Sequence, residues 1–115
     1  MNITGSWTYK EDFEYGKSEG KVEIEHIGEN VTGVFTFTEE VENNYKIDVI
    51  EKTKGTIQNG KVLLKSLEVT ALQDNKSIDY LPNNFDVHLM SENRLVGSTF
   101  DRDDVCGVFV LERIN

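Results

Sequence analysis

"VTGVFTF", residues 31–37, sets Val31, Gly33, Phe35 and Phe37 on alternate positions, with Thr32, Val34 and Thr36 between them. A period of two marks extended backbone with one buried face, because successive side chains of a strand point to opposite sides. The same alternation recurs upstream in Ile3, Gly5, Trp7 and Tyr9 and in Val22, Ile24 and His26. Downstream it recurs in "YKIDVIEKTKGTI" (45–57), "KVLLKSLEVTA" (61–71), "FDVHLMS" (85–91), "RLVGSTF" (94–100) and "VCGVFVLER" (105–113). Helical spacing is nowhere sustained, so the pattern predicts eight strands in one domain, 1–115, without an internal linker. The single Pro82 falls in the longest connection, 72–84, where its missing N–H harms no ladder.

Gly5, Gly33, Gly55, Gly97 and Gly107 interrupt these strands. Glycine weakens a flat sheet but relieves crowding where a strand bends sharply, so these positions point to closure. Eight sequential antiparallel strands joined by hairpins then form an all-β, up-and-down barrel, which removes the exposed edges of an open sheet.

Charge narrows the function classes. Twelve basic residues against 21 acidic ones leave a net charge of −9, the wrong sign for a surface that tracks phosphates, so no nucleic-acid partner is expected. A cationic small molecule or a basic protein would be drawn to such a field. No apolar run approaches the roughly 20 residues of a membrane-spanning helix, so no membrane span is expected. The lone Cys106 makes no internal disulfide and no basic-then-apolar leader opens the chain, which favours the cytoplasm.

Catalytic patterns are lacking. No segment brings a Ser or Cys, a His and an acid into a recognised nucleophile arrangement, and the expectation is a non-enzymatic protein without a cofactor. "DRDDV", 101–105, holds three carboxylates but lacks the spacing and closing Glu of an EF-hand loop, so no metal site is expected there.

Gly5 and Trp7 in "GSW", at the first strand, and Arg113, at the end of the last, resemble the calycins: lipocalins, fatty-acid-binding proteins and avidins. The resemblance implies that Trp7 packs under the barrel with Arg113 across its indole, Gly5, Trp7 and Arg113 together forming a structural plug. A guanidinium can stack on the indole and still donate to nearby carbonyls. Size and the terminal "FVLERI" are also similar to staphostatin-like protease inhibitors, which implies binding to a protein instead.

Alternation along an up-and-down chain assigns the connections to two ends. The short turns at 27–30, 58–60 and 91–93 fall with Trp7, whereas 14–18, 39–44, 72–84 and 101–104 fall opposite, at the predicted mouth. That mouth carries Glu14, Glu39, Glu40, Glu42, Asp74, Asp79, Asp101, Asp103 and Asp104 against Lys17, Lys76 and Arg102. Two binding modes follow. Tyr9, His26, Phe35, Phe37 and Phe85 would line an interior that takes a small apolar or cationic ligand. Alternatively, Ser77, Ile78, Asp79, Tyr80 and Leu81, with Asp101, Asp103 and Asp104, would contact a basic protein partner, as an inhibitor or immunity-type protein does.

Overall fold

In the computed structural model the described residues are 1–42, 45–101 and 106–114, with Cys106 placed as backbone only. Asp103 and Asp104 lie outside them, as do Arg102 and Val105. The elements run β1 (Gly5–Phe13), β2 (Gly16–Ile27), β3 (Asn30–Val41), β4 (Tyr45–Gln58), β5 (Lys61–Gln73), β6 (Lys76–Ile78), β7 (Asn84–Ser91), β8 (Arg94–Phe100) and β9 (Cys106–Arg113). All pairings are antiparallel, in the order β4-β3-β2-β1-β9-β8-β7-β5, and β4 pairs with β5 to close the ring. The fold is the all-β, eight-strand up-and-down barrel that the alternation predicts, with β6 as one added short strand.

Every apolar face named by the period of two turns inward. Trp7, Tyr9, Val22, Phe35, Phe85, Leu95 and Leu111 are fully buried, and Ile3, Val31, Val49, Val62, Leu64 and Phe109 complete much of the same core. At about 25 cal/mol per Å² of apolar surface removed from water, this packing is the main stabilising term. Gly20 lies opposite both Tyr9 on β1 and Phe37 on β3, and the two rings close over it with centroids 5.2 Å apart.

Several boundaries differ from the sequence expectation: β2 begins at Gly16 and β3 runs to Val41, inside the connections expected at 14–18 and 39–44, and other strand ends shift by one or two residues. Two differences matter more. Strand β1 begins at Gly5 rather than Ile3: the Ile3 N–H donates to His26 Nδ1 instead of joining a ladder, although Ile3 itself is buried. The connection 72–84 is not one loop. Asp74 (φ 52°) and Asn75 (φ 64°) both adopt the left-handed conformation of a two-residue turn whose twist matches its strands. The turn folds β6 back on the end of β5, so Ser77 and Ile78 lie in a strand.

Strand β5 is irregular. The β4 register shifts between Lys52 and Thr53, which pair with Glu68 and Ser66, leaving Leu67 as the extra residue of a bulge. Below this bulge β5 pairs with β7 over Lys61–Lys65; above it, the two strands part. Residues 79–83 run through that region as a strap between β6 and β7.

Candidate functional site

The two ends of the barrel are built differently. At one end the Arg113 guanidinium lies 4.4 Å from the Trp7 ring centroid. It donates to the carbonyls of Glu92 (2.7 Å), Thr4 (2.8 Å) and Asn2 (3.1 Å), while Trp7 Nε1 donates to the Ile3 carbonyl at 3.0 Å. One cation thereby ties the first residues to the β7–β8 turn and shuts this end. His26 belongs here, half-buried, with Nδ1 accepting from Ile3 at 3.2 Å. Its place is the closed end, far in register from the aromatic residues with which the sequence grouped it.

The middle of the barrel is filled. Tyr9 packs against Phe35, Phe37, Phe85 and Phe109 at centroid distances of 5.2 to 6.2 Å, and Phe35 stacks on Phe85 at 3.9 Å. Tyr9, Phe35, Phe37 and Phe85 are therefore brought together as expected of one inward face, but they occupy the space that a ligand chamber among them would need.

Room remains above these rings, at the opposite end. A cavity of about 270 Å³ is lined there by Glu11, Phe13, Glu39, Ile47, Asp79, Tyr80, Leu81, Asn83, Thr99, Asp101 and Gly107. Asp79, Tyr80, Leu81 and Asp101, all expected in the mouth loops, meet at this cavity; Ser77 and Ile78 do not line it.

The floor of the cavity is acidic. Glu11, only 8% exposed, accepts from Tyr9 Oη at 2.6 Å and from Thr99 Oγ1. Burial holds its carboxyl above the ordinary range, against those hydrogen bonds, and the Glu39 and Glu51 charges push it the same way. Gly107 makes this placement possible, since a Cβ there would collide with Glu11 Oε2. Glu39 accepts from Tyr80 Oη at 2.6 Å, and its carboxyl too is raised by burial, opposed by that bond. Burial raises the phenol of Tyr80, with the Glu39 charge second, and that of Tyr9, with the Glu11 charge second; both tyrosines stay protonated as donors.

Glu51 has a different task. Fully buried, at the level of Phe35, it accepts from Asn83 N–H (2.8 Å) and Asn83 Nδ2 (3.1 Å) and from Ser66. Burial raises its carboxyl against these bonds. It anchors the strap where β5 and β7 separate, and Tyr80 to Glu39 makes the second attachment.

Sequence reasoning missed Glu11 and Glu51, and saw Glu39 only as a rim charge. The signal lay in the parity itself: Tyr9 is followed two residues on by Glu11, Phe37 by Glu39 and Val49 by Glu51. Each glutamate continues an inward face. Glu40, the next residue, turns outward to Lys17 and Lys46, each 3.8 Å away in exposed pairs of small energetic weight. Among the described residues no group of three or more His, Cys, Asp or Glu side chains is arranged to hold a metal ion.

No family model matches this sequence, and no curated protein matches it significantly. Solved structures do resemble the fold. A redesigned β-barrel, mFAP1, bound to DFHBI, superimposes with a TM-score of 0.67 at 12% identity, covering 96% of this chain and 94% of that one. A de novo designed fluorescence-activating β-barrel gives a TM-score of 0.65 at 10% identity, with 97% and 94% covered. At such identities the likeness is one of architecture.

Proposed function

We propose that this protein is a non-enzymatic, calycin-like barrel that binds a small ligand at its acidic open end. The cavity of about 270 Å³ above the aromatic core carries the reading, because it combines buried carboxylates with the apolar walls of Phe13, Ile47 and Leu81. That volume lies just under the roughly 300 Å³ at which drug-sized pockets begin, so the fitting ligand is small. The Trp7–Arg113 stack supports the calycin-like reading, and the binding of DFHBI by mFAP1 is a precedent for a barrel of this shape taking a small molecule. A fragment screen by two-dimensional amide NMR tests the proposal. Shifts clustering at Glu11, Phe13, Ile47 and Thr99 are the expected result, and a library that moves no mouth resonance would overturn it.

One observation favours a second reading. A barrel whose centre is packed with rings has no deep chamber, which suits a scaffold that presents loops to a basic protein. Native mass spectrometry of the purified protein separates the two, since a retained small molecule supports the first reading and a co-purified protein the second. For a basic partner, Asp101→Asn with Asp103→Asn and Asp104→Asn should slow association and flatten its salt dependence.

A further inference from the structure

We infer that Glu11 and Glu39, which line the mouth cavity, with Ser18 buried between them in the ladder just beneath its lining, form a subsite for a primary ammonium group, so that the ligand is a small amine with an apolar body. This rests on the reading of the mouth as the ligand site. The ladders fix the row: Glu11 of β1 pairs with Ser18 of β2, and Ser18 pairs with Glu39 of β3. Residues directly opposite on one face stand with Cβ atoms about 4.5 to 5.5 Å apart, so the serine stands between the two glutamates in the row.

Ser18 is fully buried on the inward face, and its Oγ has no hydrogen-bond partner among the described residues. Native interiors rarely leave such a group unmatched. Glu11 already accepts from Tyr9 and Thr99 and Glu39 from Tyr80, yet an ionised carboxylate can accept about four hydrogen bonds. The row therefore offers three neighbouring acceptor groups with negative charge on both sides.

Few ligand groups match it. A primary ammonium presents three N–H donors and a compact positive charge, one donor for each acceptor. A neutral alcohol brings one donor and no charge, and a quaternary ammonium brings charge without a donor. An arriving cation would also relieve the repulsion between Glu11 and Glu39. Phe13, Ile47 and Leu81 on the cavity walls would receive the apolar body.

Calorimetry at neutral pH and physiological salt, with 2-phenylethylamine, 2-phenylethanol and the N,N,N-trimethyl analogue of the amine as probes, tests the subsite. The amine should bind at least about tenfold more tightly than either analogue, a difference within reach of one charge-assisted hydrogen-bond set. Ser18→Ala should weaken the amine by roughly three- to tenfold. Glu39→Gln provides a second variant, with an expected loss of about tenfold or more for the amine. An amine that binds no better than the alcohol, or equally well to wild type and Ser18→Ala, overturns the subsite while leaving the mouth as a ligand site. Failure of all three probes also overturns it, and the fragment screen then shows whether the mouth reading falls too.

Discussion

The guanidinium of Arg113 covers the Trp7 ring and serves three carbonyls, so neither residue can be removed without stranding groups that depend on the other. Trp7→Ala should destabilise the fold by about 3 to 5 kcal/mol, the range for deleting a large buried aromatic. Arg113→Ala should cost less. In urea denaturation the double variant should lose less than the sum of the two single losses; strict additivity would deny the coupling. Gly107 gives a second test at this scale. Gly107→Ala should cost about 1 to 3 kcal/mol, because the added methyl must displace the Glu11 carboxylate and also meets the Asp12 carbonyl. An unchanged urea midpoint would mean that Glu11 has somewhere else to go. The inward glutamates show the limit of reading single residues. A charge at an inward position looks like a slip of strand parity until its partners are known: Tyr9 reaches Glu11 from its own strand, but Thr99 reaches it from β8, and Asn83 reaches Glu51 from the strap.

Strands were legible because each keeps a buried and an exposed face over five or more residues, as in Val31 to Phe37. Strand β6 was not. With three residues, none of them deeply buried, it has no period to recognise, and its existence depends on the Asp74–Asn75 turn that precedes it. The bulge at Leu67 escaped for a related reason: one unpaired residue changes the ladder without changing the composition. Asn75→Gly should be neutral or slightly stabilising, since glycine adopts positive φ without strain. Asn75→Val should destabilise by about 1 to 2 kcal/mol, the cost of forcing an ordinary residue into the left-handed region. Amide exchange reads the result locally: faster exchange confined to the ends of β5 and β6 is expected for the valine variant. Unchanged protection there would remove the turn as the cause of β6.

Closure of the whole sheet followed from strand count and from the glycines inside the strands, and the net charge of −9 marked the molecule as acidic without saying which carboxylates were inside. Those inside set a pH response. Burial raises Glu11, Glu39 and Glu51 above their usual 4.5 in the folded chain, so the folded state takes up protons before the unfolded chain does. Their ionisation therefore weakens the fold at neutral pH, and acidification toward 4.5 should add stability that levels off once unfolded carboxyls protonate as well. The urea midpoint should accordingly rise between about pH 7 and about pH 5, and the rise should shrink in Glu11→Gln with Glu39→Gln. A midpoint that falls over that interval would contradict the placement of these groups. The strap over residues 79–83 carries one more consequence. Tyr80 Oη, the Asn83 backbone N–H and Asn83 Nδ2 attach it to glutamate side chains, whereas the staves are held by continuous backbone ladders. The strap can therefore open as a local unit, at a cost set by the burial of Glu51 and Tyr80 and below that of rupturing the barrel. On the proposed reading of the mouth as a ligand site, variants at Tyr80 or Asn83 should change how long a guest stays while leaving the lifetime of the barrel almost untouched.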